Sequence, residues 1–285
     1  MSLKSVLRYP GGKSRAITQI LKYIPLNFKE YREPMVGGGA LFLYLKQTDF
    51  RIQKYWINDI NKDLYTFWVQ AQRNNQTVVK QIDMLLHQFS DGKELFSFLR
   101  DESMQFNDIE LAARFFILNR ITFSGTTDSG GYSSQAFHKR LTPSSIKRLE
   151  EVEAILKDTR ISNHDYQVLI DSPGEDVFLF LDPPYHSATK SLLYGKNGNL
   201  HRNFDHERFA NSMRNCNHKW LVTYDDSPYI RELFPFAHIY EWKLMYGMNN
   251  VGKSTTQAGC ELFLSNYDVE KQSYLLDNSN PQAKF

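Results

Sequence analysis

Residues 177–185 read Val177-Phe-Leu-Phe-Leu181 followed by Asp182-Pro-Pro-Tyr185, and this stretch decides the fold. A strand without polar positions is buried on both faces, which is typical of a parallel sheet covered by helices. Ligands of such sheets bind at the carboxyl ends of the strands, where Asp182 stands. The stretch therefore predicts an α/β fold with a binding or catalytic site directly after this strand.

The four residues after the strand supply two hydrogen-bond acceptors and a flat ring. The Asp182 carboxylate and the Pro183 carbonyl can each accept one hydrogen of an amino group. Accepting both hydrogens draws the nitrogen toward a tetrahedral form and aims its lone pair at an incoming methyl group. Pro183 and Pro184 fix the backbone and remove two competing N–H donors, while an extruded base can stack on Tyr185. The alternative is a strand that ends in a rigid turn without a ligand.

A glycine turn and a more distant carboxylate precede this motif. Residues 31–46 read as a turn with three glycines that opens an apolar helix. Gly37 and Gly39 would let a ligand approach the backbone at the helix N-terminus, although a tight turn without a ligand has the same pattern. Asp59 lies 20 residues after Gly39 and follows a strand-like segment. Doubly wound folds place a carboxylate there for the hydroxyls of a ribose, and a helix N-cap is the alternative.

The N-terminal segment Arg8-Tyr9-Pro10-Gly11-Gly12-Lys13 precedes a helix-like stretch over residues 14–23. Lys13 follows two glycines and could reach the carboxylate of a ligand. An isolated lysine is more often a solvated surface charge, which is the alternative at this position.

Charge and hydropathy limit the class of protein. The 285 residues carry a net charge of only +2, so nucleic-acid binding would need a local basic patch. The longest clean apolar run, residues 177–181, is far too short to span a bilayer, and the N-terminus lacks the apolar region of a signal peptide. Cys216 and Cys260 are the only cysteines and are interpreted as inert core residues, which favours a reducing cytoplasm.

The middle of the chain has a helical texture and a basic patch. Helical spacing of apolar residues extends over residues 64–157, interrupted by a polar, glycine-rich loop at 122–137. Residues 119–148 carry a net charge of +4, which suits contacts with phosphates and base edges. An exposed helix face with a mobile loop is the alternative. The candidate nucleic-acid contacts are Arg120, Ser124, Thr126, Thr127, Tyr132, Lys139, Arg140, Lys147 and Arg148.

A phosphate-loop pattern occurs near the C-terminus but lacks the right context. Residues 247–254 match G-x-x-x-x-G-K-[ST], which should open a helix. Residues 255–265 instead contain a glycine followed by 261–265, which read as a strand, as do 219–223 and 239–244. We therefore expect a hairpin loop here rather than the site of a nucleotide hydrolase.

Together these motifs resemble the Dam-type (α-group) adenine-specific DNA methyltransferases over nearly the whole chain. Residues 8–13 are similar to the family's W-x-G-G-K element, 33–39 to its E-P-F-x-G-x-G loop, 59–61 to its D-x-N element, and 182–185 are its D-P-P-Y motif. The resemblance implies a Rossmann-like core, mostly a parallel sheet with an antiparallel C-terminal hairpin. This core comprises residues 1–63 and 158–285, and 64–157 form a helical DNA-recognition domain.

The resemblance also implies a reaction and a set of partners. The chain would transfer a methyl group from S-adenosylmethionine to N6 of adenine in double-stranded DNA, by base flipping and direct transfer without a metal. A restriction endonuclease acting on the same site is a further expected partner. The implied cofactor contacts are Tyr9, Lys13, Glu33, Pro34, Gly37, Gly39, Asp59 and Asp182, with Asp165 or Tyr166 beside the adenine of the cofactor.

The chain departs from the family pattern at a few positions. Tyr9 stands in place of tryptophan and Met35 in place of phenylalanine, and residues 123–132 replace the asparagine-rich loop of GATC-specific members. The GATC site is therefore not carried over. Two rival functions are a methyltransferase of RNA adenine or protein amides, which commonly has asparagine at the position of Asp182, and a DNA-binding protein on an inactive scaffold, which would have lost Asp182 or Tyr185.

Overall fold

The computed structural model describes residues 5–9, 12–186, 203–244 and 259–269. Within them, seven strands form one sheet in the order β3-β2-β1-β4-β5-β7-β6. The strands β1 to β5 are parallel to one another, and β7 is antiparallel to both β5 and β6. The strands are β1 Glu30–Glu33, β2 Lys54–Asn58, β3 Thr159–Ser162, β4 Val177–Leu181, β5 Lys219–Asp225, β6 His238–Leu244 and β7 Gly259–Ser265.

Helices cover both faces of the sheet, and six consecutive ones, α3 to α8, separate β2 from β3. This confirms the helical texture expected between residues 64 and 157. No helix in the described part of the chain is both long and apolar enough to cross a membrane. The helices are α1 Ile17–Ile20, α2 Ala40–Thr48, α3 Lys62–Arg73, α4 Asn75–Gln88, α5 Gly92–Arg100, α6 Asp108–Ile121, α7 Ser134–Arg140, α8 Pro143–Leu156, α9 Tyr166–Asp171, α10 His206–Asn215 and α11 Pro228–Leu233.

The strand order creates a crevice between β1 and β4. The chain runs outward from β1 through β2 to β3, and then returns to the other side of β1 with β4. At such a switch point the connections from two adjacent strands leave in opposite directions, which opens a gap at their carboxyl ends. Residues that follow Glu33 and Leu181 therefore face a common space.

The strand β4 is buried on both faces, as its sequence predicted. Phe178 and Phe180 pack into one hydrophobic cluster, whereas Val177, Leu179 and Leu181 pack into a second cluster. The first cluster continues from the sheet into helices α3 to α8, so this helical segment shares a core with the sheet. Its treatment as a separate domain over 64–157 stays a prediction.

Several expectations need correction. The loop expected at 122–137 is shorter, because its last four residues begin α7, whose N-cap is Ser133. Cys216 packs beside the second cluster, but Cys260 is exposed and is not a core residue. The phosphate-loop pattern at 247–254 lies outside the described residues. The flanking strands β6 and β7 are antiparallel to each other, and the hairpin loop expected between them stays a prediction.

Candidate active site

A buried ion pair lies at the carboxyl edge of the sheet. The Nζ atom of Lys13 is 2.8 Å from Oδ1 of Asp182, and the lysine side chain is only 5% exposed. The same oxygen accepts a hydrogen bond of 2.5 Å from the hydroxyl of Thr223, on the neighbouring strand β5. The alternative of Lys13 as a solvated surface charge is therefore wrong.

The two oxygens of the Asp182 carboxylate have different surroundings. Oδ1 is held by Lys13 and Thr223, whereas Oδ2 accepts no hydrogen bond from the described part of the chain. A carboxylate anchored through one oxygen has a fixed orientation and keeps the second oxygen as an acceptor for a ligand. The side chain is partly exposed, as this role requires.

The rest of the D-P-P-Y motif is positioned by the strands on its far side. Pro183 is buried, and Tyr185 donates its hydroxyl to Oε2 of Glu261 on β7 at 2.9 Å. The next backbone N–H, that of His186, donates to Oδ1 of Asp225 at the end of β5 at 2.9 Å. Sequence reasoning missed Glu261 and Asp225, because neither lies in a motif that spacing could reveal.

The glycine turn after β1 requires its glycines. Gly37 and Gly39 have φ values of +47° and +62°, which side chains rarely adopt. The ring of Tyr9 lies so close to Gly37 that a Cβ atom there would be 2.8 Å from a ring carbon. The indole of Trp68 in α3 donates to the Gly37 carbonyl at 3.2 Å. The turn is thus fixed between the N-terminal segment and the helical insertion.

Asp59 supports the glycine turn and does not cap the following helix. Its Oδ2 accepts from the Gly37 N–H at 3.0 Å, and its Oδ1 accepts from the Asn61 N–H at 3.0 Å. The N-cap of α3 is Asn61, so the N-cap alternative for Asp59 is wrong. Burial raises the pKa of Asp59 to about 6, although backbone N–H groups from Asn61, Gly37 and Ile60 act against it.

Glu33, the last residue of β1, is a buried carboxyl group in the crevice. It is 3% exposed and accepts a hydrogen bond of 2.7 Å from the hydroxyl of Tyr31. Its pKa is raised to about 8, mainly by burial and also by the charges of Asp182 and Asp59, while the hydrogen bond from Tyr31 acts in the opposite direction. Pro34 beside it is buried, and its carbonyl accepts from the Asn58 amide at 2.9 Å. Three carboxyl groups thus influence one another here, an arrangement that suits a ligand with positive charge and hydroxyl groups.

Asp165 and Tyr166 follow β3 at the same edge, but both side chains are engaged within the protein. Asp165 caps α9 through the Gln167 N–H at 3.0 Å and forms a bidentate ion pair with Arg208 at 2.7 and 3.0 Å. Tyr166 packs among Phe204 and Phe209 in the second cluster. Their contact with a ligand stays a prediction.

The basic residues of the insertion differ in exposure. Lys139, Arg140 and Lys147 are exposed, and Arg148 is partly exposed. Arg120 is only 4% exposed, and its guanidinium donates to the Val6 carbonyl. The pKa of Arg120 is lowered to about 10, mainly by burial and also by the positive charges of Arg148, Arg8 and Arg140. The Arg120 side chain therefore lies beneath the surface that carries Lys139, Arg140, Lys147 and Arg148.

The polar loop is folded against the insertion. Thr122 and Tyr132 form a β-bridge that closes it. Thr126 is buried and donates to the Phe123 carbonyl at 2.9 Å, and Tyr132 packs near Phe96 and Phe137. Thr127 is half-buried, and Ser124 is exposed with a φ of +55°.

Phe123 has the most exposed aromatic ring of this loop, with 63% of the residue accessible. Sequence reasoning, which looked for polar side chains, missed it.

One amide connects this loop to the N-terminal segment. Asn119 donates to the Arg8 carbonyl at 2.8 Å and to the Gly125 carbonyl at 3.0 Å, and its oxygen accepts from the Arg8 N–H at 2.8 Å. Gly125 has a φ of +77°, and a Cβ there would lie 2.1 Å from the Arg8 carbonyl oxygen. The loop therefore sits against the chain that carries Tyr9 and Lys13.

The raised pKa of Glu33 leads to a prediction about stability. In the unfolded chain a glutamate has its ordinary pKa, so the folded state binds this proton more tightly. The stabilisation is full below about pH 4.5 and is lost as pH rises through about 8. Asp59, whose pKa is about 6, makes a smaller contribution to the unfolding free energy, and this contribution is lost at lower pH than that of Glu33. We expect the unfolding free energy without ligand to fall by on the order of 3–5 kcal/mol between pH 5 and pH 9 from Glu33 alone.

Urea unfolding of the wild type and of Glu33→Gln over this pH range measures the effect. In the variant, most of the fall in unfolding free energy above pH 6.5 should be absent, because the amide that replaces the carboxyl group does not ionise. Parallel pH profiles for the two proteins would contradict the assignment.

Comparison with known proteins agrees with this geometry. The profile of a family described as D12 class N6 adenine-specific DNA methyltransferase matches residues 9–248. A DNA N-6-adenine-methyltransferase of Escherichia phage P1 is 28% identical over 241 residues, which are 81% of this chain and 31% of that protein. The chain thus spans about a third of the phage protein.

Two further relatives match over most of their own length. The type II methyltransferase M.MjaIII of Methanocaldococcus jannaschii is 26% identical over 68% of this chain and 73% of its own. The type II methyltransferase M1.LlaDCHI of Lactococcus lactis subsp. cremoris is 23% identical over 94% of this chain and 96% of its own. Because the family profile extends from the segment that contains Lys13 past the D-P-P-Y motif, the chain belongs to the D12 class of N6 adenine-specific DNA methyltransferases.

Proposed function

We propose that this chain transfers a methyl group from S-adenosylmethionine to N6 of an adenine that is flipped out of double-stranded DNA. The observation that carries the proposal is the Asp182 carboxylate. Lys13 and Thr223 anchor it through Oδ1, and Oδ2 is directed to no partner in the described chain. It stands beside Pro183 and Tyr185 at the switch point of the sheet.

The residues of the crevice fit this cofactor. S-adenosylmethionine carries a sulfonium, an ammonium group and a ribose diol, and it supplies an activated methyl group when bound. Glu33 and Asp182 provide negative charge, and Asp59 provides a carboxylate after β2 for the diol. Gly37 and Gly39 have no Cβ, so a ligand can approach the turn closely. A pKa of about 8 for Glu33 fits a group that a cationic ligand would deprotonate.

The chain's own residues then activate and hold the target base. The Tyr185 ring stacks on the extruded adenine, while Oδ2 of Asp182 and the Pro183 carbonyl accept the two hydrogens of its amino group. These acceptors raise the nucleophilicity of N6 and hold it in line for direct transfer. After transfer, the nitrogen loses one of these protons through the hydrogen bond to Asp182.

The insertion supplies the contact with DNA. Lys139, Arg140, Lys147 and Arg148 suit phosphate contacts, because their charges lie at or near the surface. Ser124 and Thr127 are the candidates for base reading that remain accessible in the loop. Phe123 adds an exposed apolar ring, the kind of side chain that wedges between base steps when a duplex is opened.

Two broader expectations belong to this proposal. Relatives named type II methyltransferases support a restriction endonuclease as a partner that acts on the same site. The helical insertion and Asp182 support DNA over RNA or protein as the substrate, and an intact D-P-P-Y motif favours an enzyme over an inactive scaffold. We also propose that the protein works in the cytoplasm.

The role of Asp182 is tested by substitution. Asp182→Ala removes the acceptor at the reacting nitrogen and should lower kcat by about 10²–10³-fold, the effect of losing one preorganised group at a reacting centre. The substitution also removes the Asp182 carboxylate from the buried Lys13 ammonium, so circular dichroism and thermal unfolding must accompany the assay. Turnover is measured as labelled methyl transferred to a duplex library with randomised positions.

Asp226→Ala is the matched control. Asp226 is a carboxylate after β5 that pairs with Arg231 at 2.7 Å at the surface, and its loss should leave turnover near normal. Near-normal turnover of Asp182→Ala would contradict the mechanism.

The DNA surface is tested through its dependence on salt. Arg140→Gln or Lys147→Gln should weaken binding to all duplexes alike and reduce the slope of log K against log salt by about 0.9, the contribution of one phosphate contact. Phe123→Ala should also weaken binding but leave the slope unchanged, because an apolar wedge releases no counterions. Lys219→Gln, at the opposite edge of the sheet, is the control and should change neither quantity. If Arg140→Gln and Lys147→Gln have the same salt slope as the wild type and as Lys219→Gln, the DNA binds another surface.

A further inference from the structure

Glu261 is a buried carboxylate that neither the motifs nor the proposed mechanism has used. It lies on β7, opposite Asp225 in the antiparallel ladder with β5, and it is 2% exposed. Its Oε2 accepts the hydroxyl hydrogen of Tyr185 at 2.9 Å. The D-P-P-Y tyrosine is therefore attached at its tip to a strand more than 70 residues further along the chain.

A carboxylate is a costly choice at such a position. Burial of a charged or polar group without partners costs several kcal/mol, whereas an apolar residue would pack there without this cost. Its flanking residue on the strand, Leu262, is fully buried in the second cluster. A charge at position 261 thus needs a compensating contact, and the Tyr185 hydroxyl provides a charge-assisted one.

Two contacts restrain the Tyr185 ring in different directions. The hydroxyl lies on the rotation axis of the ring, so its bond to Glu261 fixes the position of the ring tip. The ammonium of Lys13 lies 4.8 Å from the ring centroid and restrains the plane from one face. A base then stacks on the opposite face. Because Lys13 also holds Asp182, the stacking plane and the acceptor oxygen are held in one rigid frame.

We propose that Glu261 is a positioning residue that acts through Tyr185. It fixes the ring so that a base stacked on it places its amino nitrogen at Oδ2 of Asp182. The inference rests on the proposed function, since it needs a base that stacks on Tyr185. Glu261 itself touches neither the base nor the cofactor in this account.

The test separates this role from a merely structural one. Glu261→Ala should lower kcat by about 10-fold to 100-fold, the range for loss of a hydrogen bond to a charged group, while the KM for S-adenosylmethionine stays unchanged. Glu261→Gln keeps an acceptor for the hydroxyl and should restore kcat to within about threefold of the wild type. Tyr185→Phe removes the donor and should reproduce the loss seen for Glu261→Ala. In the Tyr185→Phe background, Glu261→Ala should cause no further loss of kcat, because the bond through which Glu261 acts on the ring is already absent.

Glu241→Ala is the matched control. Glu241 lies on the adjacent strand β6 and pairs with Arg231 at 2.6 Å on the surface, and its loss should leave kcat unchanged. Thermal unfolding accompanies each variant. If Glu261→Ala does not fold, Glu261→Gln and Tyr185→Phe still decide the question.

Two outcomes would overturn the inference. One is a loss of kcat in Tyr185→Phe smaller than threefold, and the other is a loss of kcat in Glu261→Ala that is the same in the wild-type and Tyr185→Phe backgrounds. A wild-type protein that methylates no adenine would instead reject the proposed function, so the two failures can be distinguished.

Discussion

The ion pair between Lys13 and Asp182 is the interaction on which the rest of the site depends. A buried ion pair stabilises the fold only when the two charges are close and well aligned and further hydrogen bonds satisfy their remaining polar atoms, because removing charges from water is costly. Here the pair is close, at 2.8 Å, and Thr223 adds a hydrogen bond from the neighbouring strand. The N-terminal segment must therefore cross the carboxyl edge of the sheet. Its position there brings Tyr9 onto the glycine turn.

The same N-terminal segment connects the parts of the protein that would bind cofactor and DNA. Asn119 joins the Arg8 backbone to the loop of the insertion, and Trp68 joins α3 to the carbonyl of Gly37. Arg8 precedes Lys13 by only five residues. The continuous hydrophobic cluster beneath them gives the sheet and the insertion a shared support.

The sequence was sufficient to predict an element or a site residue where the motif that indicates it is local. An apolar strand with a motif at its end predicted β4 and the position of Asp182, and the spacing from Gly39 predicted Asp59 at the same edge. Burial of individual polar residues was not predictable, because it depends on contacts made far along the chain. Arg120 looked like a surface cation but donates to the Val6 carbonyl. Glu261 approaches Tyr185 only through the antiparallel register of β5 and β7, which no spacing reveals.

The most direct test of the account is to identify the base that receives the methyl group. The full chain is incubated with S-adenosylmethionine labelled on its methyl group and a duplex library with randomised positions, and the DNA is then digested to nucleosides and separated. We expect the label in N6-methyl-2′-deoxyadenosine, with none in cytosine derivatives. We also expect far less label when a single-stranded RNA library replaces the duplex. Label on cytosine, or a preference for RNA or protein over the duplex, would contradict the central claim.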